Sequence, residues 1–340
     1  FAQHLHWSLI FWINLPLAAL AVVMIHRAMR GLPDVSRPQR LDLLGALLIV
    51  GGTVALMLAL TWGGRRLPWG SSVVLGLFAA AALCFAVFAR HVMREAEALI
   101  PLSIFRNSVV TVTTSAMFFV MGSWLALTVY APIWFEQVHG FGAANAGLGL
   151  IGLTLGTVIG ANASGRALVR VVHYKRLALG GAALGVMSAI GLAAGASVLP
   201  FWAAEILLTL AGLGTGALFP LSTVVVQNAV ERRDLGVATG THAFFRALGT
   251  VVIVSLLGTI FLSSGLGDAI EGGGGHAART PETIALAGET FTRIFAGAAL
   301  GQAIGLVIFL FLEERPLAGR GAPAARSAET SPAGGAGEAQ

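Results

Sequence analysis

Long runs of apolar residues alternate with short polar stretches along this 340-residue chain. A helix needs ~20 apolar residues to cross the ~30 Å hydrocarbon core of a bilayer, and each run reaches or nearly reaches that length. Because the bilayer interior holds no water to satisfy the backbone, such runs predict α-helices. We therefore predict an all-α polytopic membrane protein with nine transmembrane helices, at about 9–28, 41–62, 71–89, 109–135, 144–168, 177–198, 201–230, 237–262 and 291–312.

Composition favours a membrane protein over a soluble domain. Hydrophobic residues make up 56% of the chain and charged residues 11%, whereas a soluble domain has roughly 25% charged residues. The net charge of +5 comes mainly from Arg residues in the connections between apolar runs. It therefore indicates membrane orientation and not a nucleic-acid partner. The single cysteine, Cys84, has no partner for an intramolecular disulfide.

The distribution of Lys and Arg predicts the orientation in the membrane. Most of these residues lie in one alternating set of connections that includes the C-terminal tail. The opposite set holds only Arg65, Arg66, Arg279 and Arg293. By the positive-inside rule, the Arg-rich set lies in the cytoplasm. We therefore expect a multi-pass protein of the cell membrane, with the N-terminus of this chain outside and its C-terminus cytoplasmic.

The ends of the chain and one connection suggest further features. The chain begins at Phe1 instead of Met and has an odd number of predicted spans, so we expect a fragment of a longer protein. Residues 313–340 are rich in Ala, Gly, Pro and Ser, and we expect a disordered cytoplasmic tail there. The same argument predicts a long flexible outer loop at 263–289, which contains Gly272–Gly275.

Four stretches of sequence, in order, carry a family resemblance. They are Trp7 with the IFWINLP run at 10–16, RLDLLG at 40–45, the basic loop at 165–176, and the segment 212–261 with its QNAV, DLGVAT, FR and LG runs. Together they resemble the fourteen-helix drug:proton antiporters of the major facilitator superfamily. The resemblance implies a fragment of the major facilitator fold that lacks the first five helices of the family pattern.

The resemblance also implies a division into domains. Residues 1–30 would form the last helix of an N-terminal six-helix domain, and 31–106 two linker transmembrane helices with their loops. Residues 107–312 would form the C-terminal six-helix transport domain, followed by the tail at 313–340. In this family pattern, the substrate binds between the two six-helix domains near mid-membrane, and the proton is the coupling ion without any other cofactor.

Three ionisable residues within the apolar runs are candidates for the proton or substrate pathway. Arg246 lies ten residues after Gly236, about 15 Å along a helix, where a charge is costly enough to indicate function. It would anchor an anionic group or pair with the proton-binding carboxylate; the structural alternative is a contact with helix-end carbonyls or the inner surface. His242, one turn earlier, would pass protons or simply be hydrated near the headgroups. Glu205 would be a coupling carboxylate or an interfacial acid.

Other polar and aromatic residues are weaker candidates. Glu136 would lie at the outer mouth of the path or, more simply, be a solvated acid beyond an aromatic belt. Amides in apolar runs bond across helices or line a cavity; these are Gln227, Asn228, Asn162 and Gln302. The proposed apolar walls of the path are Phe244, Phe245, Trp124 and Tyr130. Glycines at four-residue spacing, as in Gly152, Gly156 and Gly160, predict close helix packing, either static or as a surface for rocking.

Signals for other chemistry are weak. His4–x–His6 has no apparent third metal ligand. Gly212–x–Gly214–x–Gly216 follows a membrane helix and not a strand, so it does not indicate a nucleotide site. We found no nucleophile–base pair, so we expect neither an enzyme nor a cofactor-binding or metal site.

These observations favour the C-terminal part of a proton-coupled efflux antiporter for multiple drugs or other small molecules. Its expected partners are the lipid bilayer, an amphipathic substrate, protons and the missing N-terminal helices. The alternative is a truncated membrane protein that transports nothing, or an interaction partner that needs a separate N-terminal half.

Overall fold

The computed structural model describes residues 12, 14–29, 42–64, 66–94, 104–170, 173–267, 270 and 280–314. Its α-helices are α1 (Asn14–Met29), α2 (Leu43–Trp62), α3 (Ser72–Val92), α4 (Ser108–Trp134), α5 (Ala143–Leu148), α6 (Ile151–Arg170), α7 (Tyr174–Gly195), α8 (Phe201–Asn228), α9 (Leu235–Ser263) and α10 (Pro281–Leu310). Short 3₁₀ turns lie at Ile104–Arg106 and Arg232–Asp234, and a π-helical turn at Phe135–His139 follows α4.

Eight helical segments in the described residues are long and apolar enough to cross a bilayer, with α5 and α6 counted as one. They match the second to ninth predicted runs and confirm the all-α polytopic prediction. The first predicted run, 9–28, is described from Asn14 onward as the 16-residue α1, which is shorter than the ~20 residues that a span needs. Helix α1 belongs to a separate unit, Phe1–Leu41. His4, His6, the Gly272–Gly275 run and the tail from residue 315 lie outside the described residues.

Helix α10 begins at Pro281, ten residues earlier than predicted. The prediction of a flexible loop was therefore wrong for residues 281–289. Thr280 caps the helix reciprocally: the Thr283 N–H donates to Thr280 Oγ1 (3.2 Å), and the Thr280 N–H donates to Thr283 Oγ1 (3.0 Å). Proline at the first helical position is also typical of a helix start. The polar first turns of this helix are not part of the apolar run, so hydropathy alone missed them.

Glycines bring the backbones of α6 and α8 into direct contact. A Cβ added at Gly156 would lie 2.1 Å from the carbonyl oxygen of Thr209, and one at Gly212 would lie 2.1 Å from that of Leu153. No heavy atom can occupy such a position, so each helix uses a glycine to accept the other's backbone. The predicted close packing is confirmed for this pair.

Helix α9 packs against α4 in the same way. A Cβ added at Gly249 would lie 2.1 Å from the carbonyl oxygen of Phe118, and one at Gly122 would lie 2.5 Å from that of Gly249. Helix α4 also packs against α10, and α7 packs against both α8 and α10. The helices α4 and α6–α10 therefore form one bundle, whereas α2 and α3 pair as a hairpin that contacts α9.

Polar contacts join the end of α10 to the start of α7. A Glu314 carboxylate oxygen lies 2.9 Å from His173 Nδ1, and the Lys175 N–H donates to the other oxygen at 3.1 Å. The Tyr174 hydroxyl donates to the backbone carbonyl of Glu313 at 2.9 Å. The hydrogen bond from His173 lowers the pKa of Glu314 below its usual value. These contacts fix one end of the bundle.

Candidate functional site

Arg246 lies within the bundle on α9, eleven residues after the helix begins at Leu235 and so about 17 Å along it. Its side chain is half-buried. The guanidinium carbon lies 5.9 Å from the ring centroid of Phe219 on α8, within the range of a cation–π contact. Among the described residues, no carboxylate lies within ion-pair distance of Arg246. The structure thus holds a cation deep in a span with an aromatic neighbour and, in the part of the chain that is described, no counter-ion.

Two more helices contribute side chains to the surroundings of Arg246. The ring of Trp124 on α4 meets Phe219 edge-on, with centroids 5.8 Å apart and an interplanar angle of 87°. Its indole N–H donates to Thr157 Oγ1 on α6 at 3.2 Å. We call Trp124, Thr157, Phe219 and Arg246 the Arg246 cluster. It joins α4, α6, α8 and α9, and its cation and aromatic faces suit an amphipathic or anionic ligand.

His242 lies one turn before Arg246 and is 2% exposed. Its Nδ1 lies 3.2 Å from Thr114 Oγ1 on α4, and its Nε2 lies 3.2 Å from Ser222 Oγ on α8. A neutral imidazole donates from one nitrogen and accepts at the other, so both hydroxyls can be satisfied at once. The ring therefore joins three helices, and the alternative in which it is simply hydrated does not fit this position.

Replacing His242 by Leu should destabilise the bundle. The side chain keeps most of its volume, but Thr114 loses its hydrogen bond to the ring in a buried place and Ser222 keeps only its bond to the Phe219 carbonyl, which costs roughly 1–3 kcal/mol. We expect a lower midpoint of thermal unfolding for the purified chain in detergent. His242→Gln, which keeps a donor and an acceptor, should recover part of the loss. A His242→Leu variant as stable as the parent would show that the two hydrogen bonds contribute nothing.

Glu205 is not part of the Arg246 cluster. It lies fourteen residues before Phe219 on α8, about 21 Å along the helix. Its Oε2 accepts the N–H of Gly152 in the first turn of α6 at 3.1 Å, whereas the buried Oε1 has no hydrogen-bond partner among the residues that the structure describes. The first N–H groups of a helix lack partners within that helix and favour a negative charge. The visible contact of Glu205 is thus a cap on α6.

The other predicted wall residues are not part of the Arg246 cluster. The Tyr130 hydroxyl donates to the Val254 carbonyl at 3.2 Å inside the bundle core. Phe244 and Phe245 face a separate cavity beside α2 and α3. The structure therefore brings Trp124 to Arg246 and distributes the other three aromatic side chains elsewhere.

Asn162 lies in the middle of α6, is exposed and donates to the Val158 carbonyl of its own helix at 2.8 Å. The other amide and acid candidates lie nearer to helix ends, with one exception. Gln227 Nε2 donates to Thr239 Oγ1 across the turn between α8 and α9 at 3.3 Å, and Asn228 is the last residue of α8. Glu136 is half-buried in the π-helical turn after α4. The exception is Gln302, which is 1% exposed and donates to Thr215 Oγ1 on α8 at 3.4 Å.

Sequence reasoning missed the partners of the two central candidates. Phe219, Thr114 and Ser222 are ordinary residues of apolar spans, and nothing in the immediate sequence of Thr114 and Ser222 separates them from lipid-facing positions. One local signal was available for Phe219: it precedes Pro220, a helix-interior proline that lacks a backbone N–H donor in mid-span.

Among the described residues, eight apolar spans with buried polar groups and a half-buried cation define a polytopic membrane protein. Residues 1–254 match the Major Facilitator Superfamily. The chain belongs to this superfamily.

Similar proteins extend this assignment. The chain is 29% identical over 334 residues to an uncharacterised MFS-type transporter of Mycobacterium tuberculosis, covering 93% of the chain and 48% of the relative. It is 29% identical over 278 residues to multidrug resistance protein 3 of Bacillus subtilis, covering 80% of the chain and 53% of that protein. It is 26% identical over 261 residues to the multidrug transporter protein MdtP of the same species, covering 75% of the chain and 47% of that protein. The chain thus spans about half the length of the curated relatives it matches.

Proposed function

We propose that this chain is the C-terminal part of a proton-coupled antiporter that exports amphipathic small molecules from the cell. The observation that carries the proposal is Arg246, a half-buried guanidinium against Phe219 without a carboxylate partner among the described residues. Charges at this depth are costly and are retained for function. The names of two relatives, a multidrug resistance protein and a multidrug transporter, support the substrate class.

The Arg246 cluster would receive its counter-ion from outside the described residues. The anion would be a carboxylate of the N-terminal helices or an anionic group of the substrate. The planar guanidinium can donate two parallel hydrogen bonds to such a group while it stacks on Phe219. His242 lies one turn away, between two hydroxyl groups. It would pass protons between the Arg246 cluster and the end of the bundle where α9 begins. A proton and a substrate would thus compete for the same region.

The proposed domain assignment follows the packing. Helices α2 and α3 would be the linker pair of a fourteen-helix transporter, since they pair with each other and contact the bundle through α9. The six spans formed by α4 and α6–α10, with α5 included in the second, would be the C-terminal domain. The N-terminal helices would be the partner that closes the substrate site. The Arg-rich connections support a cytoplasmic C-terminus.

In the proposed mechanism Glu205 would be the coupling carboxylate, and Glu205→Gln in a full-length version tests this role. Glutamine keeps a carbonyl oxygen for the Gly152 N–H, so the cap on α6 stays and only the titratable charge is lost. We expect a folded protein whose transport in proteoliposomes no longer responds fully to an imposed pH gradient. Arg246→Gln serves as the second variant. If both variants keep the transport rate and its pH dependence, proton coupling through these residues is refuted.

A second candidate is that the chain alone transports nothing and needs a separately supplied N-terminal half. The observation that favours it is the coverage of about half of each relative. Reconstitution of the 340-residue chain alone should then give no substrate flux above that of empty liposomes. Addition of the N-terminal helices should restore it. Proton-linked flux by the chain alone would exclude this candidate.

A further inference from the structure

A cavity separate from the Arg246 cluster lies between α9 and the hairpin of α2 and α3, which we call the linker hairpin. It has a volume of ≈ 310 Å³, at the small end of the ~300–1,000 Å³ range of ligand pockets. Every residue that lines it is apolar, and most of the surface is aromatic: Phe85, Phe88, Phe105, Phe244 and Phe245, joined by Leu248. The lining residues have no polar side-chain group to bind a polar solute, so the cavity suits a hydrocarbon chain better.

The cavity lies near one end of the membrane spans. Phe85 and Phe88 are in the last two turns of α3, which ends at Val92, and Phe105 lies just before α4 begins at Ser108. The same end of the hairpin is fixed by His91, whose Nε2 lies 2.9 Å from Asp42 Oδ1. An occupant would therefore have its apolar part inside the spans and its other end close to the membrane surface.

Two arginines are sequence neighbours of residues that line the cavity. Arg90 follows the lining residue Ala89, and Arg106 follows the lining residue Phe105. Both are exposed, and neither has a carboxylate within ion-pair distance in the described parts of the chain. Guanidinium groups bind phosphate with paired, charge-assisted hydrogen bonds. An apolar cavity next to two exposed arginines that have no carboxylate partner among the described residues has the two features of a phospholipid site.

We propose that this cavity binds one acyl chain of an anionic phospholipid, and that Arg90 and Arg106 hold its phosphate. The lipid would fill the space between α3 and α9 and so attach the linker hairpin to the transport bundle. The substrate site would remain at the Arg246 cluster, so the lipid and the substrate would bind at different places.

Photolabelling tests this proposal on the purified 340-residue chain in nanodiscs. The probe is phosphatidylglycerol with a diazirine in one acyl chain, and labelled peptides are mapped by mass spectrometry. We expect labelling within residues 85–92 and 244–248. Excess unlabelled phosphatidylglycerol should reduce it at least fivefold, whereas phosphatidylcholine or inorganic phosphate should not. Labelling that phosphatidylcholine displaces equally well would indicate ordinary boundary lipid and overturn the proposal.

Charge and volume variants separate the two parts of the site. The double substitution Arg90→Gln and Arg106→Gln should reduce labelling in the cavity at least fivefold. The matched control is Arg166→Gln. Arg166 is exposed on α6 and does not line the cavity, so its substitution should leave the labelling unchanged. Ala89→Trp should block the cavity while both charges remain. Unchanged labelling in both the charge and the volume variant, with monodisperse protein, would refute the site.

Discussion

Arg246→Gln should reduce transport by a full-length version of this protein roughly 30-fold or more. The variant keeps hydrogen-bonding capacity but removes the only charge that the Arg246 cluster contributes. In the proposed mechanism this charge meets an anionic group in a desolvated place, and losing one side of such a contact costs about 2–5 kcal/mol. The measurement is the initial rate of substrate uptake into inverted vesicles with a fixed pH gradient.

Arg246→Lys separates charge from shape. Lysine keeps the positive charge but has no planar group to lie over Phe219 and to donate paired hydrogen bonds. We expect a rate between those of the parent and the glutamine variant, and a further loss in Phe219→Leu, which removes the aromatic face. Arg166→Gln, exposed on α6, controls for a general loss of positive charge. Normal transport by Arg246→Gln at every pH would reject the assigned role.

The spans could be predicted from the sequence because the bilayer imposes one physical condition on all of them. An apolar run must be long enough to cross the hydrocarbon and must satisfy its own backbone as a helix. Applied to the sequence, this condition predicted every span from α2 to α10. It failed at the start of α10, where polar first turns are helical because Thr280 and Thr283 cap them. Such turns lie beyond the apolar run, so hydropathy does not detect them.

The ionisable candidates were predictable, but their surroundings were not. Arg246 and His242 are conspicuous because charged or titratable groups are rare in apolar spans. Their partners are 20 to 128 residues away in the chain: Ser222 is 20 residues from His242, and Thr114 is 128. A hydroxyl in an apolar span most often bonds to its own helix, so only the packing of three helices identifies these two. The same applies to Glu205, whose partner Gly152 is on another helix.

Glycine spacing predicted that helices approach closely, but it did not show which glycines are essential. Gly156 and Gly212 leave no room for a Cβ, whereas Gly165 and Gly180 have no neighbouring atom within 4 Å of an added Cβ. Both kinds occur in similar sequence surroundings. The difference arises from which face of the helix meets its neighbour, and that depends on the whole bundle.

Gly156→Ala should destabilise the chain by about 1–3 kcal/mol, the usual cost of overpacking. The new methyl carbon would lie 2.1 Å from the carbonyl oxygen of Thr209, which is backbone and cannot turn aside as a side chain can. Helices α6 and α8 must then separate, and with them Thr157 and Phe219, which belong to the Arg246 cluster. We expect a lower midpoint of thermal unfolding in detergent and, in a full-length version, a loss of transport.

Gly165→Ala is the matched control on the same helix. An added methyl group there meets nothing within 4 Å, and alanine is favoured over glycine in a helix by up to ~1 kcal/mol. This variant should be as stable as the parent or slightly more stable. The two substitutions are chemically identical, so opposite effects can arise only from the contact with α8. Equal unfolding midpoints for both variants would mean that α6 and α8 are not packed backbone to backbone.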